Sequence, residues 1–419
     1  MSAETLNDDL GVRAVARCDL MGAPPYSEHD DQLVRRYLTA AHAAALGTLR
    51  EWMEAAGMSV RCDGAANLIG RYEAAAPNAP ALMIGSHIDT VRNGGRYDGA
   101  LGVMLGIDCV EALAGRRLPF ALEVIAFGDE EGSRFPTSMT CSRAVAGDPV
   151  SGAGALRDAD GVSLAEALAA FEPSQGEAPA MRRPGELLGF LEAHIEQGPV
   201  LEAEGLPIGV VTAIAAQKRL LARITGVAGH AGTTPMHLRH DPGPAAAEAI
   251  LAVERICGAE AGLVGTVGRI AALPGSVNVI PGAVEFSLDV RAPTSAVRDA
   301  AVGRIAAELQ AIVARRDLAL TLEVTQDLAE SPCDPTLTAM LVAAMGDVGV
   351  APRRLPSGAG HDAMVMADLC PSAMLFIRCK GGVSHNPAEA VDPKDAAVAA
   401  RAMLAFIERL AVERGGAKR

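Results

Sequence analysis

Aromatic side chains are scarce: one Trp, four Tyr and eight Phe among 419 residues. Any core must be filled mainly by Ala, Val, Leu and Ile, and with half of the chain hydrophobic there is enough for two domains of ordinary size. Positive charge is in deficit as well. Against 51 Asp and Glu stand 37 Lys and Arg, a formal net charge of −14. That argues against a nucleic-acid surface, which needs a basic patch; an anionic small substrate is still allowed, because bound metal ions reverse the local sign. No apolar stretch reaches the ~18 residues of a membrane span. Met1-Ser2-Ala3-Glu4-Thr5 shows no basic segment leading into an apolar one, so no secretory signal is expected. The eight cysteines are scattered without a CxxC pair, which predicts reduced, mostly buried thiols in a cytoplasmic protein.

Apolar periodicity predicts strands alternating with helices. Residues 31–57 read as a helix closed by Gly57, residues 60–72 as a hairpin turning at Asp63-Gly64, and 81–87 as a strand. A buried helix is expected over 99–113, a strand over 122–127, and a surface helix near 164–171. Phe190 to Gly198 reads as an edge of the same core. This order implies a largely parallel sheet. After Thr212 the pattern changes. Arg219 to Thr225 and Ala283 to Val290 alternate, with helices near 244–256 and 295–314 and a further strand over 318–324. From Pro335 the chain is helical, and Ser372 to Arg378 returns to the core. The expected fold class is α/β: a larger domain, 1–213 plus 330–419, with a mixed, mostly parallel sheet flanked by helices, and an inserted α+β domain, 214–329.

Chemistry concentrates where the apolar runs end. His87 and Asp89 close the run that starts at Ala81, Asp98 follows in Tyr97-Asp98-Gly99, and Asp129-Glu130-Glu131-Gly132 closes the run from Leu122. Active sites of open α/β sheets lie at such strand ends. Mixed imidazole and carboxylate donors suit Zn²⁺ or Mn²⁺. Adjacent glutamates after a buried strand are costly without a partner; one could ligate a metal while the other takes a proton from water. An exposed acidic turn is the plainer alternative. His194, His230, His361 and His385 lie in Gly- or Ser-rich surroundings, and any one alone could be an ordinary polar residue.

Six segments in this order make the chain recognisable: Gly85-Ser86-His87-Ile88-Asp89-Thr90, Tyr97-Asp98-Gly99, Asp129 to Phe135, His194-Ile195-Glu196-Gln197-Gly198-Pro199, Gly229 to Met236 and Ser384-His385-Asn386-Pro387. From about residue 30 to 410 it resembles the M20 family of metallohydrolases, in the branch of allantoate amidohydrolases and N-carbamoyl-L-amino acid hydrolases. The resemblance implies two divalent ions per subunit, zinc or manganese, with cobalt or nickel as alternatives. His87, Asp98 and His194 would hold one; Asp98, Glu131 and His385 would hold the other. Glu130 would be the general base, and Asp89 would orient His87. His230 would steady the oxyanion from the partner subunit of a homodimer. Asn278 and Arg291 would grip a substrate carboxylate, a task suited to the guanidinium fork, although Arg291 shares a strand face with Glu285, Ser287 and Asp289 and a surface ion pair is the alternative. Gln197, Ser357, Gly358, Gly360 and His361 would line the remaining pocket.

By the same resemblance the inserted domain would serve as lid and dimerisation domain, with hinges near Val211 to Ala215 and Glu330 to Pro335. The implied activity is hydrolysis of a ureido C–N bond, with allantoate as first substrate and release of ammonia and carbon dioxide, a reaction of purine catabolism. An N-carbamoyl-L-amino acid is the alternative. A dipeptidase or aminoacylase on the same scaffold is disfavoured by His194 with Gln197, and a catalytically dead binding protein by the presence of every expected ligand. A thiol amidase would need a Cys-Glu-Lys set that cannot be placed. Two departures stand out: Cys141-Ser142-Arg143 where the family has Gly-Ser-Arg, which puts the packing beside the Glu130 loop in question, and Arg239-His240-Asp241-Pro242 where it has Arg-Arg-Asp-Ala.

Overall fold

The apolar runs Ala81–His87 and Ala121–Phe127 are buried along their whole length, the mark of strands covered on both faces. In the computed structural model, which describes residues 10–175, 178 and 180–416, they are the middle of a nine-stranded sheet. The described residues up to Thr212 and from Pro332 onward form one compact unit, and Ala213–Ser331 form a second.

In chain order the first unit contains α1 (Val12–Leu20), α2 (Ala40–Ala55), β1 (Ser59–Cys62), β2 (Leu68–Tyr72), β3 (Ala81–His87), α3 (Ala100–Ala112), β4 (Ala121–Phe127), α4 (Thr140–Ala146), α5 (Leu164–Ala170), β5 (Leu187–Ile195), α6 (Val200–Ala203) and β6 (Ile208–Ile214), whose end leads into the second unit. The second unit contains β7 (Ala216–Thr225), β8 (Gly229–His230), α7 (Pro242–Gly258), β9 (Val264–Thr266), β10 (Ile270–Leu273), β11 (Val279–Ile280), β12 (Ala283–Ala292), α8 (Ser295–Arg315) and β13 (Ala319–Leu328). The chain returns through β14 (Ser331–Pro332), α9 (Pro335–Asp347), β15 (Arg354–Ser357), α10 (Asp362–Met366), β16 (Ser372–Ile377) and α11 (Pro393–Gly416).

The large sheet runs β1-β2-β4-β3-β5-β16-β6-β14, with β15 on β6. Its centre is parallel: β3 pairs in parallel with β4 and β5, and β5 with β16. Antiparallel pairs β1/β2, β2/β4 and β16/β6 flank that centre, so the sheet is mixed. Helix α3 is buried from Ala100 to Val110. Gly102 permits this close seat, since a Cβ there would lie 2.1 Å from the Ala193 carbonyl oxygen of β5. Each large aliphatic side chain buried this way contributes about 1.5–3 kcal/mol, which offsets the shortage of aromatics.

Two expectations need correction. The helix expected over 31–57 begins only at Ala40, capped by Thr39. Leu38 takes a φ of 57°, and Leu33, Val34, Arg35 and Tyr37 are buried outside any helix, Tyr37 in a turn. Residues 190–198 are no edge: β5 lies between β3 and β16, and its apolar side chains are covered on both faces.

In the second unit β10-β12-β7-β13 form an antiparallel sheet, with β9 also on β12. Val284, Phe286, Leu288 and Val290 of β12 join Ala245, Ala249 and Val253 of α7 and Ile305, Leu309 and Ile312 of α8 in one core. The alternation of β12 turns Glu285, Ser287, Asp289 and Arg291 to the opposite face. No helix of the described residues is long and apolar enough to cross a membrane.

Candidate metal centre

Sheet order explains where the charged groups meet. Strand β3 has β4 on one side and β5 on the other, so the chain reverses its direction of travel there, and clefts form outside such strand ends. His87 is the last residue of β3, His194 the penultimate residue of β5, Asp129 to Glu131 follow β4, and His385 follows β16. Asp98 arrives on the turn into α3. Gly99 makes that turn with φ 66°, and a Cβ on it would lie 2.5 Å from the His87 ring.

The Nδ1 atom of His87 lies 3.1 Å from the Asp89 carbonyl oxygen and 3.4 Å from its carboxylate. His194 Nδ1 lies 2.9 Å from the Ile195 carbonyl oxygen. Carbonyls only accept, so each Nδ1 carries a proton, and in the neutral ring Nε2 keeps its lone pair. Those two Nε2 atoms are 3.4 Å apart. Asp98 Oδ1 is 3.2 Å from His194 Nε2, its Oδ2 is 3.2 Å from His385 Nε2, and His385 Nε2 is also 3.2 Å from Glu131 Oε1.

These contacts make two sets that share one carboxylate. The donor atoms of His87, Asp98 and His194 lie within 4.8 Å of one another, and so do those of Asp98, Glu131 and His385. Ligand bonds of about 2.0–2.2 Å suit such spacings, and imidazole with carboxylate is a donor set for zinc or manganese. The residues therefore fit two divalent cations. Two further groupings meet the same distance, His87 with Glu130 and Glu131, and Glu192 with His194 and His361. The second is otherwise engaged: Glu192 accepts from Ser86 Oγ at 2.6 Å and Ala363 N at 2.8 Å, and His361 Nε2 is 2.7 Å from Ser357 Oγ.

Asp89 does more than face His87. Its carboxylate accepts the backbone N–H groups of Glu130 at 3.0 Å and Glu131 at 3.1 Å, which ties the end of β3 to the acidic loop. Glu130 itself is raised well above the ordinary carboxylate value by burial; His87 opposes this, and the charges of Glu131, Asp362 and Asp89 add to it. Burial raises Asp98 too, yet His385, His194 and His87 hold it below the usual range. His385 is raised to about 10 by hydrogen bonding to Asp98 and Glu131. His194 is lowered to about 4, chiefly by burial. The carboxylates thus draw protons onto His87 and His385, as they would draw metal cations.

Gln197 and His361, expected to line the substrate pocket, lie against Asp98 and His194. Gln197, at φ 55°, directs its amide Nε2 at both Asp98 oxygens, 3.1 Å from each. His361 is buried, its ring centroid 4.4 Å from that of His194, so it packs against that imidazole. Gly360 borders Glu130: a Cβ there would lie 3.8 Å from Glu130 Oε1. Glu196 is turned away to cap α6, accepting from Val200 N and Leu201 N. Cys141 is buried and donates to the Ala65 carbonyl at 3.2 Å, a packing role.

His230, Asn278 and Arg291 belong to the second unit. His230 pairs with Val279 across β8 and β11, and Asn278 accepts the Ala231 N–H through its carbonyl at 3.0 Å. Arg291 donates through Nε and Nη2 to the two Asp289 oxygens, 2.9 Å each.

Glu389 is a residue that sequence reasoning missed. It accepts Tyr97 N at 2.8 Å and Asp98 N at 3.1 Å, and Ser384 Oγ at 3.0 Å, so it joins the two loops that bear Asp98 and His385. Burial first, then Asp98, raises it to about 7. A carboxylate four residues past His385 is the sequence signal.

Comparison with known proteins gives one consistent result. The profile of Peptidase family M20/M25/M40 matches residues 83–409. An N-carbamoyl-L-amino acid amidohydrolase of Geobacillus stearothermophilus is 42% identical over 90% of this chain and 93% of its own. Allantoate deiminase 1 of Glycine max is 37% identical over 96% of this chain and 90% of its own. A crystal structure of a hydantoinase/carbamoylase family amidase from Burkholderia ambifaria superposes with a TM-score of 0.88 at 33% identity, covering 99% of this chain and 98% of that one.

Proposed function

This chain belongs to peptidase family M20/M25/M40, and we propose that it is a binuclear-metal amidohydrolase that cleaves a ureido C–N bond. The observation that carries this reading is the pair of donor sets sharing Asp98, with Glu130 beside them. Two divalent cations bound there would polarise the scissile carbonyl and lower the pKa of water. Glu130 takes the proton from the attacking water and passes it to the leaving nitrogen, a role that its raised proton affinity suits. Asp89 and Asp98 hold the geometry. The balance is one water consumed for one amine, one ammonia and one carbon dioxide released.

The substrate carries a carboxylate, gripped by Arg291 and Asn278, while His230 steadies the developing oxyanion. The inserted unit acts as lid and dimerisation domain, and His230 acts from the partner subunit of a homodimer. Allantoate is the first substrate. The 42% identity to an N-carbamoyl-L-amino acid amidohydrolase favours that substrate class as the second reading. Eight cysteines, seven of them buried, suit a reducing compartment such as the cytoplasm. The test is ammonia release from allantoate and N-carbamoyl-L-amino acids, and amino-acid release from dipeptides, by metal-stripped protein given Mn²⁺ or Zn²⁺. Turnover of dipeptides alone would overturn the ureido assignment.

A further inference from the structure

Arg35 is the least exposed guanidinium of the described residues, 1% accessible. Among the described residues no carboxylate lies within ion-pair distance of it. Its fork is instead spent on main-chain carbonyls: Nε donates to Ile88 O at 2.6 Å, and Nη1 to Met21 O at 2.9 Å and Tyr26 O at 3.2 Å. The main chain adds two links to the same turn, Arg35 N to Thr90 Oγ1 at 2.9 Å and Thr90 N to Arg35 O at 3.0 Å. Ile88 is the residue between His87 and Asp89. A buried cation without a counter-ion is expensive, and this one stands under the turn that carries a ligand and the carboxylate bracing the acidic loop. Burial pushes Arg35 down to about 10, with Cys18 and Asp89 opposing, so it remains charged at neutral pH.

We propose that Arg35 is a positioning residue for one of the two metals: it fixes the Ile88 carbonyl, and with it the His87–Asp89 turn, and supplies a permanent positive charge beneath Asp89. The proposal rests on the two-metal reading. Of the two sets that share Asp98, the one with His194 contains His87 itself, whereas the other meets this turn only through the Glu131 backbone N–H on Asp89, and His385 follows β16. Loosening Arg35 should therefore weaken the metal equivalent held by His87 more than the other. A purely structural staple would destabilise the unit without choosing between ions.

The experiment is calorimetric titration of metal-stripped protein with Zn²⁺ or Mn²⁺, alongside thermal midpoints, for the parent, Arg35→Lys and Arg35→Met. Lys keeps the charge but not the fork; Met removes both. One equivalent should weaken about 10- to 100-fold in Arg35→Met, the usual loss when a residue supporting a metal ligand is removed, and less in Arg35→Lys, with the other equivalent clearly less affected. Where Arg35→Met does not fold, Arg35→Lys carries the test. A folded Arg35→Lys that binds both equivalents as the parent does, or loses both in step with thermal stability, overturns the proposal. A parent that takes up fewer than two equivalents overturns the two-metal reading instead.

Discussion

Removing the metals should leave a site that traps protons, with a measurable sign. In the metal-free protein His385 is raised to about 10 by its hydrogen bonds to Asp98 and Glu131. His87 is also raised well above its ordinary value: burial opposes this, but hydrogen bonding to Asp89 and the charge of Glu130 prevail. Unfolded imidazoles titrate near ~6.5. The folded, stripped protein therefore holds extra protons above that value, and the stability they confer is complete below about 6.5 and lost as pH rises toward the folded values. Each extra proton is worth about 1.4 kcal/mol per pH unit, so two imidazoles set a ceiling of about 2.7 kcal/mol per unit. The side chain of His385 is 48% exposed, and solvent screening with proton sharing brings the expected slope to about 1 kcal/mol per unit. Bound cations replace those protons, so the stability gap between loaded and stripped protein should widen with pH. An unfolding entropy of about 2 cal/mol/K per residue makes this roughly 2 °C between pH 7.0 and 8.5. Differential scanning fluorimetry of chelator-stripped and reconstituted protein reads it. Buried thiols such as Cys18 and Cys109, raised by burial, titrate with the same sign in both forms and cancel. A gap that stays constant or narrows would refute the proton-for-metal exchange.

Three further outcomes are expected. Asp98→Ala should lose both ions and His385→Ala mainly one, as read by metal analysis of purified protein; full occupancy in the Asp98 variant would end the shared-carboxylate assignment. Glu130→Gln should keep its metals and lose a factor of about 10² or more in kcat, whereas Glu131→Gln should lose metal; near-normal turnover of Glu130→Gln would mean that the base lies elsewhere. Arg291→Ala should raise KM for carboxylate substrates by about 1.5–3 kcal/mol in binding, and mixing the two inactive variants His230→Ala and Glu130→Gln should restore partial activity if subunits share sites. No recovery, with subunit exchange confirmed by mass spectrometry, would place His230 in its own subunit or outside the mechanism.

Local order made several elements legible. The strand ending at His87, the helix behind Gly99 and the alternation over Ala283–Ala292 follow from apolar period and chain punctuation, because a strand covered on both faces needs an unbroken apolar run and a half-covered one needs alternation. The same rule misplaced Arg35 and Tyr37 in a helix. Their apolar neighbours are buried in irregular chain whose hydrogen bonds go to distant segments, and no local period encodes that.

By itself, then, the amino-acid order determined the donor inventory and its stations: His87, Glu130, Glu131, His194 and His385 stand at or just after apolar runs, where sheets end. Only the tertiary structure decided which of them meet. Placing β4, β3, β5 and β16 side by side brings Ser384 to Asp98 across 286 positions of sequence, sets His385 against Asp98 and Glu131, and turns Gln197 toward Asp98 and Glu196 away from it. It also puts Glu389 against the backbone of Asp98 and Arg35 against that of Ile88. The physical reason is that a side chain's chemistry is local, whereas the company it keeps is set by strand order and by hydrogen bonds between segments that have no sequence in common.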